Sequence, residues 1–182
     1  MDFKDEILEF TDTTIINDSN GQVMMSWETP IMEKAAEYIS HNKGDVLEIG
    51  FGMGICSDYI QSQGVNSHTI IEIHPQIIEK LNIWASNKSN VTIIEGDWAN
   101  TNINDTYDGI FIDTYGDDNW SNFKSFALAR AKSGAKITYW NNFEDKRNEH
   151  NFDSVSFEDI SITPNNNNYF IFNTYHMPKV EI

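Results

Sequence analysis

The chain has 182 residues, which is enough to bury one hydrophobic core and too few for a second independent domain. Its 28 acidic residues outnumber its 12 basic residues, and the formal net charge of −16 opposes binding to DNA or RNA, whose phosphates require lysine and arginine. No run of 18 apolar residues and no secretory leader is visible, so we expect a soluble, cytoplasmic protein without a membrane or nucleic-acid partner.

The N-terminal residues are acidic and polar, with a turn pattern at residues 18–21. We interpret residues 1–22 as an N-terminal arm or lid and residues 23–182 as a single domain. A helix is predicted from Thr29, because Pro30 suits the first turn of a helix and apolar residues then recur on one face.

The segment from Asp45 to Glu72 predicts half of a nucleotide-binding βαβ unit. The apolar run Val46–Ile49 enters a turn with glycine at positions 50, 52 and 54 and leaves in a helical pattern. A second apolar run ends in Glu72, 22 residues after Gly50, where a carboxylate can accept hydrogen bonds from both ribose hydroxyls. The segment therefore predicts a nucleoside-cofactor site, and its G-x-G-x-G spacing favours S-adenosylmethionine over NAD.

The remaining sequence alternates helix and strand patterns and then closes with a hairpin. The predicted elements are a helix from Pro75 to Ala85, strands at Val91–Ile94 and Tyr107–Ile112, a helix from Phe123 to Lys132, a strand at Ala135–Trp140, and a hairpin of Ser154–Thr163 with Tyr169–His176. Pro164 and the four asparagines after it are interpreted as a solvated turn. The predicted fold class is α/β, a doubly wound, Rossmann-like, mostly parallel sheet with a C-terminal antiparallel hairpin.

Three acidic residues lie at or just beyond the ends of predicted strands, namely Glu72, Asp97 and Asp113. Because the carboxyl ends of parallel strands meet at one edge of a sheet, we expect all three to border a ligand crevice. The alternative for each is a turn former or a helix cap. Cys56, the single cysteine, is interpreted as a packing residue, and the five histidines show no metal-ligand spacing, so no metal is expected.

Several motifs between Val23 and Asn141 occur together in this order. They are VMMSWETP at 23–30, GFGMG at 50–54, Ile71-Glu72, Gly96-Asp97-Trp98, and Tyr107-Asp108-Gly109 through Asp113-Thr114-Tyr115. In these motifs the chain resembles the class I S-adenosylmethionine-dependent methyltransferases, within the branch of guanidinoacetate N-methyltransferase and the arginine δ-N-methyltransferases. GFGMGI at 50–55 and EIHP at 72–75 resemble the arginine δ-methylating members more than the guanidinoacetate enzyme.

The resemblance implies S-adenosylmethionine as the cofactor and a set of residues that binds it. These residues are Met24, Met32, Glu48, Gly50, Phe51, Gly52, Met53, Gly54, Glu72, Ile73, Asp97, Trp98 and Asp113. Within this set the resemblance places Glu72 on the ribose, and Asp97 with Trp98 beside the adenine. The implied substrate-binding residues are Trp27, Glu28, Asp113, Tyr115, Asn142 and Phe143.

The resemblance also implies that two carboxylates, Glu28 and Asp113, hold a guanidinium group. A guanidinium is a planar fork of N–H donors, which two carboxylates can orient through charge-assisted hydrogen bonds. Its nitrogen is a poor nucleophile while it is protonated, so methylation needs a base. We assign Asp113 as the base and Glu28 as the orienting partner. The alternative for Glu28 is a capping acid at a helix start.

Three hypotheses about function follow. The leading one is methylation of a guanidino nitrogen on a small molecule that resembles guanidinoacetate. A homodimer is a possible assembly under this hypothesis. Alternatives are methylation of arginine side chains in proteins and a non-catalytic S-adenosylmethionine-binding subunit. One departure from the guanidinoacetate enzyme concerns the substrate: after the fifth strand the sequence reads Asn142-Phe143-Glu144-Asp145, and the two acids are expected to repel a substrate carboxylate.

Overall fold

The structure is a computed structural model, and it describes residues 2–163 and 167–182. Near the N-terminus, strands β1 (Leu8–Phe10), β2 (Thr14–Asn17) and β3 (Gln22–Met25) form a three-stranded antiparallel sheet in that order. The predicted turn lies between β2 and β3, where the N–H of Asn17 donates to the carbonyl of Gly21. This small sheet crosses the predicted boundary between arm and domain, and that division stays a prediction.

A seven-stranded sheet forms the centre of the molecule, in the order β6-β5-β4-β7-β8-β10-β9. Its elements are α1 (Thr29–Ile39), β4 (Asp45–Ile49), α2 (Ile55–Ser62), β5 (Ser67–Glu72), α3 (Pro75–Ala85), β6 (Val91–Glu95), β7 (Tyr107–Ile112), α4 (Phe123–Arg130), β8 (Ala131–Tyr139), β9 (Ser156–Ser161) and β10 (Thr174–Glu181). Strands β4 to β8 pair in parallel, whereas β10 is antiparallel to both β8 and β9. The predicted fold class is confirmed.

Helices cover both faces of this sheet because its central strands are apolar on both sides. Val46 and Phe111 belong to a core cluster that also contains α1, α2 and α3. Their neighbours Leu47 and Ile110 point the other way, into a cluster that contains α4. The strand order reverses between β4 and β7, and in such sheets a ligand crevice forms at that point.

Residue Gly109 lets α1 lie directly against β7. A Cβ atom at this position would lie 2.0 Å from the carbonyl oxygen of Ile39, so any side chain would push the helix away from the sheet.

The described residues contain no helix that could cross a bilayer, since the longest helices, α1 and α3, have only 11 residues each.

The predicted helix end at Lys132 was wrong, because α4 ends at Arg130 and β8 begins at Ala131, four positions before the predicted strand. Lys132 lies near the start of this strand. Its ammonium lies 2.6 Å from Asp45 and 2.7 Å from Asp108, at the amino ends of β4 and β7. These ion pairs join the start of β8 to both strands, next to the pairing of Ala131 with Tyr107.

The closing hairpin also differs from the prediction. Strand β10 begins at Thr174 and continues through Pro178 to Glu181, whereas the prediction stopped at His176. Proline lacks the N–H that a strand ladder uses, so sequence patterns disfavour it there. Residues 169–173 form a loop before β10 instead of the predicted strand. Part of the predicted asparagine turn, residues 164–166, lies outside the described residues.

Candidate active site

A cavity of about 960 Å³ opens at the carboxyl ends of the parallel strands. Glu72, Asp97 and Asp113, the three acids predicted to border a crevice, all line it. Asp2, Phe3 and Lys4 line it from the N-terminal side. The cavity therefore lies where the strand order predicts a ligand, and the first residues of the chain form part of its wall.

The glycine loop after β4 is organised by the protein's own side chains. Gly52 has a φ of +54°, and a Cβ atom there would lie 2.4 Å from the sulfur of Met24. The same sulfur accepts a hydrogen bond from the N–H of Met53 at 3.1 Å. Glycine is needed at position 52 because of this backbone conformation and because Met24 in β3 closes over the loop.

Glu72 is tied to the same loop. One of its oxygens accepts a hydrogen bond of 2.9 Å from the N–H of Phe51, and the other accepts bonds of 2.8 Å from Ile73 and His74. Burial raises the pKa of Glu72, while these three backbone bonds act in the opposite direction. A carboxylate has about four acceptor positions, so about one remains for a ligand. Glu72 both shapes the loop and faces the cavity.

Glu48 is a fully buried carboxylate on the cavity wall. Its Oε2 accepts a hydrogen bond of 2.5 Å from the Ser57 hydroxyl and lies 2.8 Å from Nε2 of His68. The Gln61 amide nitrogen lies 3.2 Å from Nδ1, the other ring nitrogen of His68, so the imidazole bridges Gln61 and Glu48. No described residue bonds Oε1 of Glu48. A buried acceptor without a donor is costly, so a ligand with a donor group is expected here.

Glu28 presents one carboxylate oxygen to the cavity. It is 3% exposed, and its Oε1 accepts hydrogen bonds from the Met25 N–H at 2.7 Å and the Tyr169 hydroxyl at 2.5 Å. The bond from Met25 makes Glu28 a cap of the short 3-10 turn Ser26–Glu28, which was the alternative interpretation. Glu28 also lines the cavity, and Oε2 has no hydrogen-bond partner among the described residues.

Asp113 lines the same cavity, and no described side chain or backbone donor bonds its carboxylate. Burial and the nearby charge of Glu48 raise the pKa of Asp113 to about 7. Burial, followed by the charge of Asp113, raises the pKa of Glu28 to about 8. Both carboxylates line one cavity, and no lysine or arginine among the described residues contributes to either pKa. A cationic ligand between them would lower both pKa values.

Asp97 and Trp98 connect two loops at the other end of the cavity. Asp97 accepts hydrogen bonds from the Ala99 N–H at 2.9 Å and from the amide of Asn119 at 3.0 Å. The indole N–H of Trp98 donates to Asp117 at 2.7 Å. Asp97 therefore caps the short 3-10 turn Trp98–Asn100, which was the alternative interpretation, and it also lines the cavity.

Four of the predicted binding residues do not line the cavity. Trp27 packs against the rings of Tyr169 and Phe170, 5.7 Å and 6.0 Å away. The guanidinium of Arg147 lies over the Phe143 ring, with its central carbon 3.8 Å from the ring centre. Met53 and Gly54 belong to the glycine loop, but only Gly50, Phe51 and Gly52 of this loop line the cavity. The binding roles of these four residues stay predictions. The remaining predicted residues line the cavity: Met24, Glu28, Met32, Glu48, Gly50, Phe51, Gly52, Glu72, Ile73, Asp97, Trp98, Asp113, Tyr115 and Asn142.

Sequence patterns missed three residues of the site. Tyr169, from the loop before β10, contacts Glu28 and lines the cavity, and Trp140 lies on the wall beside it, 6.4 Å between ring centres. Asp117 accepts hydrogen bonds from both Trp98 and Thr114. Tyr169 and Trp140 carried no sequence signal, because aromatic residues near strand ends are more often core.

Comparison with known proteins identifies the family. Residues 6–147 match the family model described as guanidinoacetate N-methyltransferase. The chain belongs to this family. It is 40% identical over 122 residues to protein arginine N-methyltransferase 2 of Saccharomyces cerevisiae, a match that covers 59% of this chain and 29% of that protein. The protein of the same name from Yarrowia lipolytica is 35% identical over 141 residues, a match that covers 69% of this chain and 29% of that protein. This chain thus spans under a third of these relatives' length.

Solved structures share the fold at low sequence identity. A spermidine synthase from Thermotoga maritima superposes with a TM-score of 0.72 at 13% identity, covering 96% of this chain and 72% of that chain. A precorrin-6y C5,15-methyltransferase from Geobacter metallireducens has a TM-score of 0.61 at 16% identity, and the superposition covers 82% of this chain and 86% of that chain. The family to which the chain belongs implies S-adenosylmethionine as the cofactor, and these solved structures show that the chain shares their fold.

The residues present fit this cofactor. Glu48 lines the cavity and keeps a buried Oε1 without a donor among the described residues, which an ammonium group would satisfy. Glu72 keeps about one free acceptor position for a ribose hydroxyl. The wall near Met24 and Met32 is apolar and suits the aliphatic part of the cofactor.

Proposed function

We propose that this protein transfers a methyl group from S-adenosylmethionine to a nitrogen of a guanidino group. The observation that carries the proposal is the pair Glu28 and Asp113, two carboxylates on one cavity wall with raised pKa values and no ion pair to a described lysine or arginine. A planar guanidinium supplies the charge and the N–H donors that this pair lacks.

The cofactor, when bound, supplies a methyl group made electrophilic by its sulfonium. The protein's own residues do the rest. Glu28 accepts an N–H of the guanidinium through Oε2 and fixes the plane of the group. As the new N–C bond forms and the C–S bond breaks, one proton leaves the attacking nitrogen, and the Asp113 carboxylate takes it. In the empty site the pKa of Asp113 is about 7, and a bound guanidinium lowers it, so Asp113 is ionised and able to accept the proton near neutral pH.

A small molecule is the substrate that we favour. Phe3 packs its ring against Tyr115 and His74, with ring centres 5.2 Å and 4.9 Å apart, and Asp2, Phe3 and Lys4 lie on the cavity wall. This cover suits a substrate that enters the cavity whole. The second candidate is an arginine side chain of a protein, which the names of the relatives that are 35–40% identical favour.

The test is methyl transfer from radiolabelled S-adenosylmethionine. The protein is incubated with the cofactor and a panel of small guanidines, and separately with arginine-containing proteins and peptides. We expect label in the small-molecule fraction. Label only in protein would establish the second candidate. Cofactor binding in calorimetry with no label in any guanidine would remove the proposed function and support a non-catalytic binding subunit.

A further inference from the structure

A buried polar network beneath α2 supports the cavity wall from behind. We propose that His68 and Ser57 are positioning residues for the cofactor: together they bind Oε2 of Glu48 and leave Oε1 to hold the ammonium of the cofactor's amino-acid part. Glu48 lines the cavity, whereas His68 and Ser57 lie behind it. The proposal concerns cofactor binding alone, so it does not depend on the group that accepts the methyl.

The sheet and helix α2 bring these residues together. Val46, two positions before Glu48 in β4, pairs with His68 in β5, so Glu48 and His68 lie on one face of the sheet in neighbouring strands. Ser57 and Gln61 are four residues apart in α2 and therefore share one face of this helix. Glu48, Ser57 and His68 are all 0% exposed. Their contacts are therefore part of the core.

The contacts from the protein converge on a single oxygen of Glu48. The Ser57 hydroxyl donates to Oε2 at 2.5 Å, and Nε2 of His68 lies 2.8 Å from the same oxygen. The amide nitrogen of Gln61 lies 3.2 Å from Nδ1 of His68, so α2 holds both the carboxylate and the ring that contacts it. The other oxygen, Oε1, is buried and has no hydrogen-bond partner among the described residues. The contacts to Oε2 fix the rotation of the carboxyl group and thereby the direction of Oε1.

The chemistry of Oε1 favours a charged donor. A buried carboxylate oxygen without a donor is costly, and hydrogen bonds from a cation compensate it best. Cys56 approaches Glu48, but burial, followed by the charge of Glu48, raises the pKa of its thiol, which therefore stays an uncharged and weak donor. Of the hydrogen-bond donors of S-adenosylmethionine, only the ammonium carries a positive charge. It is the group that matches Oε1.

The test uses two ligands that differ only in this ammonium. S-adenosylhomocysteine, and its analogue in which a hydrogen replaces the α-amino group, are titrated into the full chain and followed by calorimetry. We expect the wild type to bind S-adenosylhomocysteine at least about tenfold more tightly than the analogue, and Glu48→Gln to lose most of this preference. Equal affinities in the wild type, or an undiminished preference in Glu48→Gln, would overturn the proposal.

Two further variants test the positioning itself. His68→Phe keeps the ring but removes its nitrogens, and Ser57→Ala removes the hydroxyl. Each should reduce the preference about two- to tenfold, the range for one lost hydrogen bond, and leave the affinity for the analogue within about twofold. A merely structural role would weaken both ligands by the same factor, and an unchanged preference would overturn the role of that residue. Ser57→Ala decides the proposal if His68→Phe does not fold.

A conservative variant and a control complete the experiment. His68→Gln, whose amide can donate to Oε2, should retain most of the preference that His68→Phe loses. Ser62→Ala is the matched control, since Ser62 also lies in α2 but donates to the Tyr59 carbonyl on the exposed surface. It should change neither affinity. Failure of the proposed function looks different, because no guanidine would then accept a methyl group while the preference and its loss in these variants persist.

Discussion

The hydroxyl of Tyr169 donates a hydrogen bond of 2.5 Å to Oε1 of Glu28, joining two residues 141 positions apart in the chain. Tyr169 lies in the loop before β10, beyond residues 6–147 that match the family model. The bond leaves Glu28 only Oε2 for a ligand. The C-terminal segment therefore helps to set how the proposed substrate is held.

Replacing Tyr169 with phenylalanine should weaken substrate recognition. The hydroxyl lowers the pKa of Glu28, so its removal should raise that pKa further and leave more Glu28 protonated at neutral pH. We expect kcat/KM at pH 7 to fall about three- to tenfold, and the acidic limb of its pH profile to move to higher pH. Tyr38→Phe, which removes a hydroxyl bonded to the Val180 carbonyl, is the control. An unmoved pH profile in Tyr169→Phe would rule out this role.

The variant Asp113→Asn should bind the cofactor and lose the chemistry. The amide keeps the shape of the side chain but cannot take a proton, so kcat should fall by about 10²–10⁴ while cofactor affinity stays within about threefold. Glu28→Gln should act partly through KM. The two effects should not add, because both carboxylates hold one planar group. Full activity in Asp113→Asn, with cofactor occupancy verified, would eliminate Asp113 as the base.

The buried Glu28 should make the ligand-free protein less stable as pH rises. Its folded-state pKa of about 8 exceeds the ordinary value of 4.5, so the folded protein holds a proton that the unfolded chain releases. That stabilisation is fully present below pH 4.5 and is lost as pH rises through about 8. Urea unfolding at pH 5 to 8 should show a decline that Glu28→Gln reduces by on the order of 2 kcal/mol. Glu33→Gln, on the exposed side of α1, is the matched control; equal declines in wild type and Glu28→Gln would contradict the prediction.

Glu72→Ala should damage both the glycine loop and cofactor binding. Three backbone N–H groups lose their acceptor, so both the free energy of unfolding and the cofactor affinity should fall, the latter by about 1.5–3 kcal/mol. Calorimetry and urea unfolding measure the two effects. Glu79→Ala, an exposed position in α3, should change neither. Unchanged stability with lost affinity would restrict Glu72 to a ligand contact.

The acids Glu144 and Asp145 should not select the substrate, although the sequence indicated that they would. Both are exposed and lie off the cavity wall, and Asp145 forms an ion pair of 3.1 Å with Arg147. Replacing both with asparagine should leave the ratio of kcat/KM for guanidinoacetate and guanidinoacetamide unchanged. A shift of that ratio towards guanidinoacetate would restore the sequence-based interpretation.

The sequence by itself determined the α/β fold class, the glycine loop and the acids at the strand ends. These features rest on local patterns, because apolar periodicity and turn-forming glycines act over a few residues. Val46–Ile49 and Tyr107–Ile112 are apolar enough to be read as buried strands without knowledge of their neighbours. Parallel order then puts Glu72 and Asp113 at one edge of the sheet.

Only the tertiary structure decided the start of β8, the path of the chain before β10 and the hydrogen bonds of the site. Lys132 lies in a strand that pairs with β7, and its ammonium contacts Asp45 and Asp108 from other strands. Tyr169 reaches Glu28 because the closing loop folds back over the sheet. The charge, donors and acceptors of the site depend on such contacts between distant residues. Local sequence does not predict these contacts, because the residues that flank each partner in the chain allow it to lie in many places in the fold.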